Sequence, residues 1–105
     1  MEGELRVLFT EVERHAMPLI SSESGARLSK EESRVLALQG IYRLNQRIGF
    51  LARTGSKEMG EMKLLQTYVN NLTIGVKNDN AQMIRSALGS IRNIITTIEK
   101  SERQV

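Results

Sequence analysis

The chain has 105 residues, of which 40% are apolar and 26% charged, a length that fits one domain over residues 1–105 and excludes two compact domains. It has no cysteine, which excludes disulfides, thiolate nucleophiles and sulfur-ligated zinc, and its single histidine leaves little for transition-metal ligation. The formal charge of +3 is weak evidence for a polyanionic partner. The acidic start and the lack of about 18 consecutive apolar residues predict neither a signal peptide nor a membrane span, so we expect a cytoplasmic protein.

The first predicted helix spans residues 2–17. Its apolar residues share one helix face: Leu5, Leu8, Phe9, Val12 and Ala16. Pro18 cannot donate the next helical hydrogen bond and disfavours helical geometry at Met17, so we expect the helix to end or kink there. The small, polar residues 21–28 then predict a linker.

The second helix is predicted to begin at Lys30, because Ser29 and Glu32 have the spacing of a capping box. Its apolar stripe consists of Val35, Leu38, Ile41, Tyr42, Ile48 and Ala52, widened by Ala37, Leu44 and Leu51. An apolar arc this wide, about 200°, touches neighbours on two sides and predicts the central helix of the domain. Gly40 and Gly49 are expected to mark close backbone approach, and Gly55 to close the helix.

The third helix is predicted from about Lys57 to Lys77, and the fourth from Ala81 to about Lys100. Their apolar faces are Met62, Leu65, Val69, Leu72 and Val76 in one, and Ile84, Ala87, Leu88, Ile91, Ile94, Ile95 and Ile98 in the other. The turn at 78–80 offers a left-handed residue and an N-cap, and it is short enough to make the two helices antiparallel. No segment requires a strand. The predicted fold class is therefore all-α, an antiparallel four-helix bundle.

Residues suited to catalysis are scarce. His15, the only imidazole, is flanked by the carboxylates of Glu11 and Glu13, which would repel a phosphoryl group, and a solvated histidine explains it better than phosphotransfer. The carboxylate pairs lie outside the apolar stripes, and neither a serine nucleophile elbow nor a phosphate-binding glycine loop is present in the sequence. We expect no enzymatic activity, no cofactor and no metal.

Several apolar residues fall outside the four stripes: Val7, Leu36, Phe50, Leu64, Tyr68 and Ile74. If they adjoin, they would form a groove for an amphipathic helix or an extended segment, with a homo-oligomer face or simple scatter as the alternatives. Arg43 and Arg47 lie one turn apart on the outward arc of the second helix and would form a polar rim. They also leave nucleic-acid binding as a weaker interpretation. The predicted partner-binding residues are Leu36, Arg43, Arg47, Phe50, Leu64 and Tyr68.

Short motifs in chain order give a more specific expectation. They are Gly3-Glu-Leu5 with Leu8-Phe9, Leu38-Gln-Gly-Ile41 with Leu44, Leu65 with Tyr68 and Leu72, and Lys77-Asn-Asp-Asn80. Their order and spacing resemble the flagellar secretion chaperones of the FliS family over nearly the whole chain. The sequence departs from that family in the short segment before Gly3, in Phe9 at the helix-one tyrosine and in the absence of tryptophan, as in a shortened or divergent member.

The resemblance implies a cytoplasmic, non-enzymatic chaperone for bacterial flagellum biogenesis. Such a protein binds the disordered carboxy-terminal region of flagellin, blocks premature polymerisation and presents the subunit for secretion. The alternative is a small helical adaptor or a dimeric regulatory module that binds another protein, and a homodimer is possible in either case.

Overall fold

Four α-helices account for the regular structure: α1 (Glu2–Ile20), α2 (Lys30–Arg53), α3 (Met59–Lys77) and α4 (Ala81–Arg103). They come from a computed structural model that describes residues 2–20, 30–54 and 59–103, and these segments contain no strand. The predicted all-α fold and the start of α2 at Lys30 are confirmed. The expected linker over 21–28, the Ser29 and Gly55 caps and the start of the third helix at Lys57 lie outside the described residues.

The helices pack in the closed order α1, α2, α3, α4 and back to α1. Glu4, early in α1, pairs with Arg47, late in α2, and Arg34, early in α2, donates a hydrogen bond to the carbonyl of Val76, late in α3. Such pairing of early with late residues makes neighbouring helices antiparallel, which confirms the antiparallel bundle. Every helix packs against two main neighbours, so the prediction that α2 is the central helix is wrong.

Helix α1 continues beyond its expected end at Met17. It runs to Ile20 with Pro18 inside it. Leu19 lies three residues after Ala16 on the same face, and it is buried in the core with 3% of its surface exposed. Burial of a leucine contributes about 2 kcal/mol, which offsets the one hydrogen bond that Pro18 cannot donate.

The core contains one face of each helix. All the predicted residues of the α3 face are buried, and so are those of the α4 face except Ile94, which is partly exposed. The apolar faces of these two helices were therefore correctly predicted from spacing. Phe9 and Val12 of α1 complete the core beside them.

Helix α2 is rotated relative to the predicted stripe. Its buried residues are Ser33, Ala37, Gly40, Ile41, Leu44 and Ile48. Val35 is 50% exposed and Tyr42 is 64% exposed, so their assignment to the core is wrong. A Cβ at Gly40 would lie 3.0 Å from Cγ2 of Val12, which shows that α1 packs closely against the small residues of α2.

Close backbone approach is thus confirmed at Gly40. At Gly49 the nearest atom to such a Cβ is 3.7 Å away, on the flexible side chain of Arg53, so the same prediction is wrong there. A further close approach, which spacing did not reveal, occurs at Gly75. A Cβ there would lie 3.2 Å from the backbone nitrogen of Ile84, so Gly75 sets the separation of α3 and α4 near their turn.

The turn between α3 and α4 has the predicted chemistry. Asp79 has φ of 53°, the left-handed conformation that ends a helix. The side-chain oxygen of Asn80 accepts a hydrogen bond from the backbone nitrogen of Met83 at 3.1 Å, which is an N-cap. The turn and the antiparallel α3–α4 pair are confirmed.

Candidate partner-binding surfaces

Four of the predicted site residues lie on α2. Three of them, Leu36, Arg43 and Arg47, lie along one edge of α2 together with Gly40, because these positions are three or four residues apart. This edge faces α1, since Gly40 packs against Val12 of that helix. Arg47 pairs with Glu4 of α1 at 3.1 Å, and its guanidinium lies 5.1 Å from the ring centroid of Phe50. The structure therefore brings Arg47 and Phe50 together and ties Arg47 to α1, whereas Arg43 is exposed.

The other two predicted site residues lie on α3. Leu64 and Tyr68 are one turn apart, which places them on one edge, and Tyr68 lines a cleft together with residues of α4. This edge faces α4, while the α2 edge with Arg47 faces α1. The structure does not bring the six predicted residues into one track. Leu64 and Tyr68 lie on the α4-facing edge of α3, and Arg47 and Phe50 lie on the α1-facing edge of α2. Leu36 and Arg43 also line depressions on the outer side of α2. Their part in binding stays a prediction.

The first surface is the α3–α4 cleft, with a volume of about 440 Å³, within the range of ligand-binding clefts. Its lining consists of Tyr68, Asn71, Asn80, Gln82, Met83, Ser86, Ala87 and Ser90. No residue of this lining carries a formal charge, and the side-chain oxygen of Asn80 is occupied by the α4 cap. The cleft therefore combines an aromatic and a thioether side chain with amides and hydroxyls.

Sequence reasoning found Tyr68 and missed the rest of this lining. Of its α4 residues, Gln82, Ser86 and Ser90 are polar and lie outside the predicted apolar face, and Ala87 was predicted on that face as part of the core. They line a cleft because Gly75 lets α4 approach α3. This contact depends on how the two helices are aligned along each other, which the hydrophobic pattern of a single helix does not specify.

The second surface, the α2 outward face, consists of Val35, Leu38, Gln39, Tyr42, Arg43 and Gln46, which line one shallow depression. Glu31, Glu32 and Leu36 line a second depression that shares Val35 with the first, so the two are continuous. The hydroxyl of Tyr42 accepts a hydrogen bond from the amide of Gln46 at 3.0 Å. Leu36 and Arg43 were predicted site residues, but Val35, Leu38 and Tyr42 were missed because they had been assigned to the core.

The boundary between α1 and α4 is bridged by ion pairs. Arg6 pairs with Glu99 at 2.7 Å, and Arg92 pairs with Glu13 while its guanidinium lies 6.0 Å from the ring centroid of Phe9. These side chains cross between the helices, so this groove is covered where the pairs lie. Two surfaces that these pairs do not cover are the α3–α4 cleft and the α2 outward face.

The described residues contain neither a metal-binding cluster nor a membrane-spanning helix. No group of three or more histidine, cysteine or acidic side chains there is placed to hold a metal ion. None of the helices, over the same residues, has the length and apolarity needed to cross a membrane.

Comparison of the chain with protein-family models, curated proteins and solved structures gave no match.

Proposed function

We propose that the chain is a non-enzymatic binding protein that holds a segment of another polypeptide in the α3–α4 cleft. The observation that carries the proposal is the position of Tyr68, half-buried on the wall of an open cleft whose lining is uncharged. In its specific form, the protein is a cytoplasmic export chaperone that binds a flagellin-like subunit and prevents premature assembly. The resemblance of the short motifs to the flagellar chaperones supports that form.

A polypeptide fits the chemistry of the cleft. The amides of Asn71 and Gln82 and the hydroxyls of Ser86 and Ser90 can pair with peptide N–H and C=O groups without ionic bonds. Tyr68 supplies a large apolar contact surface with few rotatable bonds, as interface anchors do. An extended segment could therefore form backbone hydrogen bonds along the cleft while one apolar side chain packs on Tyr68.

Leu64 lengthens this apolar contact surface. It lies one turn before Tyr68 on the same edge of α3 and is 46% exposed. A segment that leaves the cleft along α3 would cover it. Disordered segments gain affinity from such extended contact because they must offset the entropy lost on ordering.

The lining favours binding over catalysis. Ser86 and Ser90 carry the nucleophile-type groups, and the lining contains no imidazole or carboxylate that would activate a hydroxyl. It also contains no lysine or arginine, whereas nucleic-acid sites need cations for the phosphates. Phe50 and Arg47 lie on the α1-facing edge of α2 and have no place in this binding mode.

The test is calorimetry of the full chain with the carboxy-terminal segment of flagellin from the same organism. Tyr68→Ala should weaken binding more than tenfold, because truncating a buried aromatic anchor costs on the order of 2 kcal/mol. Phe50→Ala is the control, an aromatic truncation on the α1-facing edge of α2, and it should leave the affinity unchanged. No binding at about 100 μM by a folded protein would reject flagellin as the partner. Binding weakened by Phe50→Ala and not by Tyr68→Ala would reject the cleft.

A further inference from the structure

The α2 outward face displays large apolar side chains that the bundle leaves uncovered. Val35 is 50% exposed and Tyr42 is 64% exposed, and Leu38 lies between them in the same depression. The described side chains of α4, by comparison, include no exposed large apolar residue. We propose that this face is a homodimer interface, in which the α2 helices of two copies lie antiparallel across a two-fold axis.

The apolar residues fit such an axis. Val35 and Tyr42 are separated by two helical turns, or about 10 Å along α2, with Leu38 near the midpoint. A two-fold axis at that midpoint places Val35 against the partner's Tyr42, Tyr42 against the partner's Val35, and the two copies of Leu38 beside each other. Aromatic and branched aliphatic side chains then pack in a symmetric row.

The charges fit the same axis. Glu32 precedes Val35 by one turn, Arg43 follows Tyr42, and both are exposed. Three turns separate them, so they lie on the same edge of α2. A two-fold antiparallel pair sets like edges together with reversed direction, which brings Glu32 to within about 3 Å, along the helix axis, of the level of the partner's Arg43. Symmetry forms this ion pair twice.

This self-complementarity argues for a second copy as the occupant. In a two-fold interface the same patch of both copies meets in opposite directions. The patch is therefore complementary to itself when it has acidic charge at one end, basic charge at the other and an apolar centre. On the α2 outward face, Glu31 and Glu32 line the amino-terminal end and Arg43 the carboxy-terminal end; Glu31 pairs with Arg34 of its own helix, so the match consists of Glu32 and Arg43. Contact through one helix is small compared with the interfaces of stable complexes, which bury about 1,200–2,000 Å² in total, so the dimer is expected to be weak and concentration-dependent.

The dimer is independent of the proposed binding function. Its face points away from the bundle on α2, whereas the cleft lies between α3 and α4, and the two share no lining residue. The test can therefore use the full chain alone, without any partner.

Sedimentation velocity between about 10 μM and 1 mM should show the monomer converting to a dimer. Tyr42→Ala should raise the dissociation constant more than tenfold, since Tyr42 contributes to two contacts in the dimer. Val7→Ala is the matched control, because Val7 is also 64% exposed but lies on α1, and it should leave the constant unchanged. A wild-type chain that stays monomeric throughout overturns the proposal, as does a dimer unaffected by Tyr42→Ala.

Charge-reversal variants test the antiparallel arrangement of the two α2 helices directly. Glu32→Arg and Arg43→Glu should each weaken self-association more than tenfold, because each sets like charges opposite one another. An equimolar mixture of the two variants should dimerise again, since every Arg then faces a Glu across the interface. Circular dichroism melting establishes that both variants are folded. Folded variants that dimerise alone as well as the wild type, or a mixture that remains as weak as its components, would overturn the antiparallel arrangement.

Discussion

Arg6 of α1 holds Glu99 of α4 by two hydrogen bonds, from Nε to Oε2 at 3.2 Å and from Nη2 to Oε1 at 2.7 Å, and so joins helices at opposite ends of the chain. Thr96 accepts a further bond from Nη2 at 3.0 Å. Hydrogen bonding to Glu99 raises the pKa of Arg6, against a smaller opposing effect of burial. A base with a raised pKa stabilises the fold fully below its unfolded pKa and loses this effect only as the pH rises through the folded value. The contribution of Arg6 is therefore complete at neutral pH.

Removing this pair should destabilise the bundle modestly. The side chain of Arg6 is 35% exposed and that of Glu99 16%, so solvent screening limits the pair to about 1 kcal/mol, near the upper end for such bridges. Urea unfolding of Arg6→Met, Glu99→Gln and the double variant gives the coupling energy, which should fall as salt is added. Arg14→Met, an exposed arginine on the same helix, is the control and should change the free energy of unfolding by less than about 0.5 kcal/mol. Coupling near zero at low salt would contradict the prediction.

Gly40→Ala and Gly49→Ala should change stability in opposite directions. Both replacements raise helix propensity in α2 by about 1 kcal/mol. At residue 40 the new Cβ would lie 3.0 Å from Cγ2 of the fully buried Val12, and the resulting overpacking costs more than the gain, for a net loss of about 1 kcal/mol. At residue 49 the nearest atom is 3.7 Å away, so the gain should remain. Denaturant midpoints of the two variants measure the difference, and stabilisation by Gly40→Ala would refute the tight α1–α2 contact.

The same contact explains why spacing predicted the core faces of α3 and α4 correctly and that of α2 only in part: Ile41, Leu44 and Ile48 are buried as predicted, whereas Val35 and Tyr42 are exposed. In α4 the large apolar residues lie on one side of the helix, so the spacing allows only one choice of buried face. In α2 they occur all round the helix. The side that α1 approaches contains Ser33 and Gly40 beside the predicted Ala37, and a hydrophobic pattern does not count serine or glycine as core. Small residues permit close helix approach, but which of them does so depends on the neighbouring helix.

The candidate surfaces were still less predictable. Tyr68 was correctly identified as lying off the core stripe, and so was Phe50. Tyr68 lies on an edge that faces α4, and Phe50 lies on an edge that faces α1. This difference follows from the order in which the four helices pack, which no local sequence pattern specifies. Tyr42 is exposed because the buried face of α2 is rotated relative to the predicted stripe. This one error placed Tyr42 in the core, so the apolar part of the α2 outward face was not predicted.

Core truncations should differ sharply between neighbouring isoleucines of α4. Ile91 has no exposed surface, so Ile91→Ala removes buried methyl groups and leaves a cavity, which costs about 2 to 5 kcal/mol. Ile94 is only partly buried, so the surroundings can adjust and Ile94→Ala should cost clearly less, about 1 kcal/mol. Thermal unfolding followed by circular dichroism separates the two variants, and equal losses would contradict the core boundary on α4.

Pro18→Ala should stabilise the chain because α1 continues through this residue to Ile20. Alanine restores a backbone N–H that can bond to the carbonyl of residue 14, and it has the highest helix propensity. Proline restricts the unfolded chain and so offsets part of this gain, which leaves a net stabilisation of about 1 kcal/mol. The free energy of unfolding in urea measures it.

Pro18→Gly is the matched variant for this prediction. It restores the same N–H but, in a helix, is less favourable than alanine by about 1 kcal/mol, so it should give little or no net stabilisation. If α1 ended at Met17, residue 18 would lie outside the helix and glycine and alanine there would differ little. A clear difference in stability between the two variants therefore reports the helical state of residue 18, and with it the continuation of α1 that places Leu19 in the core.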